Sequence, residues 1–184
     1  MATNCIDYNC FDDMGDFHEN NCGKEFTGDF NAGVLFACNT QLTDPTSGTQ
    51  VLAEIAAGRA WLITGALFDI EDPQPQLVDS MVPCRPQSIT EIKRSGNYQN
   101  PNVNEDNDET HDTLFSGKLF GGLLLYECNS NKNGSAQVKW IDAAISFSGG
   151  LSAKTKSKQG YIGKFNWTSF ANPKTVATPA GVFD

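Results

Sequence analysis

QVKWIDAAISFSGGLSAKTKSKQGYIGKFNWTSF, residues 137–170, is the stretch that decides the fold. Its apolar and β-branched runs are separated by glycines, a pattern typical of strands joined by tight turns. In the last run Tyr161, Phe165 and Trp167 alternate with polar residues, as in a strand with one buried and one wet face. The stretch therefore predicts a three-stranded antiparallel meander.

The first run of this stretch changes its alternation halfway along. Val138 and Trp140 share one parity, whereas Ile141 and Ile145 share the other. A β-bulge, or a crossing of the chain between sheets, would produce such a change. The sequence leaves both explanations open.

The middle run places three lysines, Lys154, Lys156 and Lys158, on one face. A row of lysines cannot belong to a core, so this face meets water or an acidic partner. No aromatic residue lies between the lysines as a stacking surface for nucleic acid would require.

Acidic and basic residues are unevenly distributed along the chain. Residues 1–112 carry 19 acidic and 5 basic side chains and residues 113–184 carry 3 and 8, within a net charge of −9. This division suits docking between copies of the chain, but the two parts could equally neutralise each other inside one monomer. The pI of about 4.6 argues against a protein that binds nucleic acid through its phosphates.

The length of 184 residues is enough for one domain with a substantial core. We divide the chain into an acidic, cysteine-containing arm over residues 1–30 and a single β-sandwich domain over residues 31–184. No run approaches the roughly 18 apolar residues of a membrane helix. The polar start predicts no secretory signal, and therefore synthesis in a reducing compartment.

Four residues of the arm, Cys5, Cys10, His18 and Cys22, have side chains that bind zinc. Their spacing lacks the paired CxxC knuckles of common structural sites, so they are only a weak metal candidate and we expect no cofactor. The other three cysteines lie in apolar or proline-flanked contexts and are predicted to be buried thiols: Cys38, Cys84 and Cys128.

The middle of the chain predicts short strands around one helix. The helix covers residues 50–57, with Ser47 or Thr49 as its N-cap. A polar, exposed loop is expected over 95–113 and one or two helical turns over 114–120. The predicted strands are 27–38, 60–70, 77–82, 88–93 and 123–128, and the tail after Pro173 is expected to end loose or on a neighbouring copy.

Within the polar loop, Glu105, Asp106, Asp108 and Glu109 form an acidic cluster. Such oxygens bind calcium, but the order of residues does not follow an EF-hand loop. A solvated run of charge is the simpler interpretation, and the lysine row of another copy is its natural partner.

The sequence gives little support for catalysis. It contains no GxSxG, P-loop, GxGxxG or HExxH motif, and both histidines lie in polar segments. A cysteine nucleophile paired with His111 is left as a remote alternative. Trp140 and Trp167 are interpreted as core residues.

The segments DPTSGTQVLAEIAAGRAWLI and WID…SFSGGLSAKTKSKQGYIGKFNWTSFANP give the chain a layout that resembles structural proteins of tailed-bacteriophage virions, closest to the tail-tube type. The resemblance spans residues 40–173 and implies a β-sandwich or half-barrel with one flanking helix. It further implies stacked, usually hexameric rings that enclose a path for DNA without binding it specifically. The cysteine-rich start departs from this pattern, which leaves a connector, ring or decoration protein open.

The expected protein is therefore mainly β, an antiparallel β-sandwich or half-barrel with one or two short helices. Its expected function is non-enzymatic assembly within a virion, with copies of itself and other virion proteins as partners and no membrane. The interface residues expected to meet are Lys154, Lys156 and Lys158 with Glu105, Asp106, Asp108 and Glu109. The alternative is a monomeric β-sandwich that binds glycan or a virion surface through Trp61, Tyr98 or Trp140.

Overall fold

The computed structural model describes residues 30–78, 88–101, 105–127, 138–152 and 160–183, which form a mainly β fold with two short helices. The helices are α1 (Gly48–Ala56) and α2 (Glu105–Leu114). The strands are β1 (Phe30–Phe36), β2 (Ala60–Ile70), β3 (Gln74–Val78), β4 (Ser88–Asn100), β5 (Leu119–Phe120), β6 (Gly122–Tyr126), β7 (Val138–Ile141), β8 (Ile145–Ser152), β9 (Gly160–Thr168) and β10 (Lys174–Val176). The predicted fold class is confirmed.

All ten strands belong to one antiparallel sheet in the order β10-β7-β6-β1-β2-β4-β9-β8-β5, with β3 paired to β4 beside this path. Only Gly121 separates β5 from β6, although β5 pairs with β8 and β6 pairs with β1. The sheet must therefore curl so that β5 and β6 come together, but it does not close. The result is a half-barrel.

The inner face of the curled sheet holds a core dominated by aromatic rings. Phe120 and Phe147 meet edge to face at 6.0 Å, and Phe165 stacks on Trp167 at 5.6 Å. Such offset and edge contacts stabilise aromatic clusters beyond the area they bury. The alternation of Tyr161, Phe165 and Trp167 predicted from the sequence is thus a buried face of β9.

A second core lies on the outer face of β1 and β6. Val34, Phe36 and Leu124 point outwards here, while Leu35 and Leu123 point into the inner core. Both strands are covered on both sides, which is why their sequences read as continuous apolar runs. Val51 of α1 and the C-terminal tail cover the outer face.

Helix α1 begins where the sequence predicts. The Ser47 side chain accepts a hydrogen bond from the Gln50 amide and so caps the free N–H groups of the first turn. The next residue, Gly48, has to be glycine because a Cβ at this position would collide with the carbonyl group of Ala180. The start of the helix and the tail are therefore packed directly against each other.

The predicted three-stranded meander is not found as such: its first run is divided between β7 and β8, and its middle run, the lysine row, lies outside the described residues. Strands β8 and β9 are antiparallel neighbours, but β7 pairs with β6 and β10 at the other side of the sheet. The change of alternation after Trp140 is neither a bulge in the described pairing nor a crossing between sheets, since β7 pairs regularly with β6 in the one sheet. The apolar residues change from the face of the outer core, which holds Trp140, to that of the inner core, which holds Ile141 and Ile145.

Three other expectations were wrong. Residues 95–100 belong to β4, residues 105–114 form α2 instead of an exposed loop, and Leu119 and Phe120 form a strand instead of a helical turn. The tail is not loose either, since β10 pairs with β7 and Phe183 stacks on Tyr126 at 4.4 Å. Neither helix in the described part of the chain is long and apolar enough to span a membrane.

Candidate functional site

The acidic cluster predicted at an interface lies on helix α2. Asp108 and Glu109 are exposed on this helix, and Glu105 and Asp106 belong to its first turn. Exposed carboxylates near a helix start also interact favourably with the helix dipole. The acidic residues therefore belong to a helix, which the sequence did not predict. At least two of them, Asp108 and Glu109, face solvent as predicted.

The lysine row lies outside the described residues, so its docking with the acidic cluster stays a prediction. Strand β8 ends at Ser152 and β9 begins at Gly160, and the row belongs to the connection between them. Tyr161, the second residue of β9, donates a hydrogen bond to the Asp108 carboxylate. The acidic helix thus lies at the end of the sheet where this connection starts, and neutralisation within one copy competes with docking between copies.

A polar cluster joins α2 to the inner face of the sheet, and we call it the tyrosine–histidine cluster: Tyr98, Asn100, Asp108, His111 and Tyr161. The Tyr98 hydroxyl lies 2.9 Å from Nε2 of His111. The His111 ring stacks on Tyr161 with centroids 3.6 Å apart and planes 8° apart. Tyr98 and His111 are almost completely buried, which the polar sequence around His111 did not indicate.

Both tyrosines of this cluster hold their protons firmly. Burial raises the pKa of Tyr98 well above its ordinary value. Burial, followed by the hydrogen bond to Asp108, raises the pKa of Tyr161 in the same direction. The tyrosines therefore offer no activated nucleophile. All members of the cluster except the exposed Asp108 are buried, and the hydrogen bonds of the cluster fix α2 on the sheet.

The described residues give no support to the remote alternative of a cysteine nucleophile paired with His111. Cys38, the one cysteine among them, is disulfide-bonded, so the expectation of a buried thiol was wrong for this residue. The sulfur of a disulfide carries no thiolate for attack. Cys84 and Cys128 lie outside the described residues.

The weak zinc candidate of the arm, Cys5, Cys10, His18 and Cys22, also lies outside the described residues. Within the ranges that the structure describes, no group of three or more His, Cys, Asp or Glu side chains converges on a point where a metal ion could sit.

The aromatic platform of the alternative function is not present as predicted. Trp61 and Tyr98 are buried in the inner core. Trp140 is half-buried and meets Phe36 edge to face at 5.4 Å. Two of the three rings cannot stack on a glycan because they already pack inside the sheet.

A polar cleft of about 680 Å³ crosses the outer side of β4, β9 and β8. Within the cleft, Lys164 forms a 2.7 Å ion pair with the Glu71 carboxylate, and Ser95 donates a second hydrogen bond to the same carboxylate. The bond from Lys164, and then that from Ser95, lower the pKa of Glu71. The cleft is polar and partly self-neutralised, and its lining also includes Asn166.

Exposed apolar side chains occur at both ends of the β4–β9 ladder. Leu77 of β3 and Ile89 of β4 are cross-strand partners and are 55% and 49% exposed. At the opposite end, Leu151 and Ile162 of the β8–β9 hairpin are 51% and 44% exposed. We call Leu77 and Ile89 the ribbon patch. Leu151 and Ile162 lie on opposite faces of the hairpin, because Leu151 is the partner of the inward-facing Tyr161 and Ile162 is the next residue in β9. These exposed side chains could not be recognised from the sequence, because the alternation of apolar and polar residues predicts a buried face without showing where along the strand the core ends.

Phe170 extends the ribbon patch, being 64% exposed directly after β9. The Ser169 amide donates a 3.1 Å hydrogen bond to the Ile92 carbonyl, which places Phe170 beside the start of β4. Arg94 secures this turn through bonds to the Ser169 carbonyl and to Asn172.

No protein-family model matches the chain, and no curated protein matches it. The resemblance to tail-tube proteins therefore stays a prediction that rests on the residues quoted above and on the layout of the elements.

Proposed function

We propose that the protein is a non-enzymatic structural component of a tailed-bacteriophage virion. In this proposal copies of the chain form hexameric rings, and the rings stack into a tail tube around the path of the DNA. A curled antiparallel sheet with one helix on its outer side is the layout that the resemblance implies.

The observation that carries the proposal is the set of apolar side chains exposed at opposite ends of one ladder. Leu77 and Ile89 at one end and Leu151 and Ile162 at the other are large aliphatic side chains held in water on regular strands. The grouped side chains of the ribbon patch mark an interaction surface. Exposed apolar side chains in a different arrangement at the other end of the ladder favour head-to-tail contacts between copies, which generate rings or filaments.

Charge supplies the second part of the proposed contact. Lys154, Lys156 and Lys158 of one copy meet the acidic start of α2 on the next, and the hydrogen bond between Tyr161 and Asp108 fixes α2 in place for this contact. The net charge of −9 suits a wall along which DNA slides, because like charges prevent the DNA from binding.

Reversal of the lysine row tests this contact. We expect the triple variant Lys154→Glu, Lys156→Glu, Lys158→Glu to remain folded but to lose rings and filaments in negative-stain micrographs. The matched control reverses three exposed lysines elsewhere and should assemble normally: Lys93, Lys118 and Lys174. If both variants assemble and only the variant of the lysine row has a less stable monomer, the lysine row pairs with acidic residues of its own copy instead.

A second candidate is a monomeric module that binds glycan or decorates a virion surface, and the polar cleft favours it. Glu71, Ser95, Lys164 and Asn166 present hydrogen-bonding groups on a rigid sheet, as in many sugar-binding faces. This candidate predicts a mass by light scattering that stays that of one chain at every protein concentration.

A further inference from the structure

The curled sheet has a seam where the end of β1 meets the junction of β5 and β6. The Gly121 amide donates a 2.8 Å hydrogen bond to the Phe36 carbonyl, and a Cβ on Gly121 would lie 2.9 Å from the Cα of Cys38. The sulfur of Cys38 lies 3.5 Å from the Leu119 carbonyl oxygen. Cys38 therefore lies at this seam, where it is half-buried and disulfide-bonded.

The second cysteine of this bond comes from a limited set. The other five cysteines of the chain all lie outside the described residues: Cys5, Cys10, Cys22, Cys84 and Cys128. The two cysteines of a disulfide have Cα atoms no more than about 7 Å apart. The ends of the described strands therefore limit which of the five can be bonded to Cys38.

Cys128 is too far from the seam. Gly122, at the start of β6, pairs with Phe36, and β6 runs away from this point. Glu127 follows Gly122 by five residues and is therefore about 16–20 Å from Cys38. One further residue brings Cys128 back by no more than about 4 Å, which leaves it beyond the reach of a disulfide.

Cys84 is also too far away. Three strand spacings across the sheet separate Leu119 from Ser95, and seven residues of β4 separate Ser95 from Ser88. Ser88 is therefore about 25 Å from the seam, measured across the sheet. The four residues from Ser88 back to Cys84 span at most about 14 Å, so more than about 7 Å remains.

The N-terminal segment, residues 1–29, is long enough to reach the seam. Strand β1 leads from Phe30 towards Cys38 over eight residues, about 26 Å. The eight residues from Cys22 to Phe30 span up to about 28 Å, and the other two cysteines of the segment have still more chain between them and β1. We propose that Cys38 is bonded to a cysteine of residues 1–29 and that this disulfide ties the segment to the seam.

Such a bond makes the attachment of the segment depend on redox conditions. Two thiols of the chain exchange with one molecule of oxidised glutathione, which leaves as two glutathione thiols while the protein disulfide forms. In a reducing compartment the same exchange runs backwards and breaks the attachment. A cysteine in a disulfide has no thiolate for zinc, so the oxidised chain cannot offer all four ligands of the weak zinc candidate.

Trypsin tests the proposal directly, because Lys24 is the single lysine or arginine of residues 1–29 and all three cysteines of the segment precede it. The purified chain is equilibrated with oxidised and reduced glutathione, its free thiols are alkylated, and it is then unfolded, digested and weighed by mass spectrometry. We expect peptide 1–24 to be linked to peptide 25–59, which contains Cys38, and to separate from it on reduction.

The masses of the linked peptides distinguish the possible bonds. Peptide 60–93 contains Cys84, and peptide 119–132 contains Cys128. A link from Cys38 to either of these peptides overturns the proposal. An alkylated Cys38 in the equilibrated chain overturns it as well.

Two matched serine variants test the attachment in the folded chain. After cleavage at Lys24, the wild type should retain fragment 1–24 until a reductant is added, and Cys128→Ser should behave in the same way. Cys38→Ser should release the fragment without a reductant. Should Cys38→Ser fail to fold, the linked peptides of the wild type still decide. Release of the fragment from the oxidised wild type would overturn the proposal.

Discussion

Replacement of Glu54 by glutamine should destabilise the fold by about 3 kcal/mol at neutral pH. Glu54 is 4% exposed, and its carboxylate binds Arg59 through two bonds, of 2.7 Å and 2.9 Å. It also accepts bonds from the Thr40 hydroxyl at 2.8 Å and from the Gln41 amide at 3.1 Å. These contacts join α1 to the segments on either side of it, so the variant loosens the whole outer core.

The magnitude follows from the titration of this carboxyl. The Arg59 bonds, and then those of Thr40 and Gln41, lower the pKa of Glu54 from 4.5 to about 2 despite its burial. This difference corresponds to about 3 kcal/mol of stability. Because the folded pKa is depressed, the contribution is complete above about pH 4.5 and is lost as the pH falls towards about 2.

Urea denaturation of Glu54→Gln and wild type at neutral and acidic pH measures this effect. The difference in unfolding free energy should shrink as the pH falls below about 4.5, because Glu54 of the unfolded chain then takes up a proton while the folded carboxylate stays ionised down to about pH 2. Glu71→Gln is the matched control, since its ion pair with Lys164 is largely exposed and should cost less than about 1 kcal/mol. Equal losses in the two variants would refute the reasoning.

Two further predictions concern the contact between α1 and the tail. Gly48→Ala forces a Cβ into the Ala180 carbonyl and should cost about 1–3 kcal/mol in thermal or urea denaturation, whereas Gly150→Ala points into open space and should change stability by less than about 0.5 kcal/mol. Phe183→Ala removes the ring stacked on Tyr126 and should cost about 3 kcal/mol, with faster proteolysis of the tail. Unchanged stability in both variants would mean that the tail does not cover the outer core.

Local pattern was enough to predict the elements whose burial is regular. The continuous apolar run of β1 and the alternation in β9 predicted strands, and the Ser47 cap predicted the start of α1. These signals are local because each residue's face follows from its place in the element. The switch at Trp140 was also visible, although only the structure shows that it marks a change from the outer to the inner core and neither of the two expected causes.

The candidate site was less predictable because its elements depend on distant partners. Residues 95–100 are polar, yet they form a strand since Tyr98 and Asn100 point inwards and the alternate residues meet solvent. Helix α2 is acidic, and its formation depends on His111 and Leu114 packing against strands far away in sequence. No local pattern reveals such tertiary contacts. The same reason hides the ribbon patch and the exposed side chains of Leu151 and Ile162.

The central claim is that the protein works in multiple copies, and the oligomeric state of the purified wild-type chain tests it most directly. Light scattering over a range of concentrations, with negative-stain micrographs of the same samples, should show a mass that rises to a discrete ring, and rings or stacked tubes in the images. A mass that stays that of a single 20.0 kDa chain at every concentration, with no rings or tubes, would contradict the account.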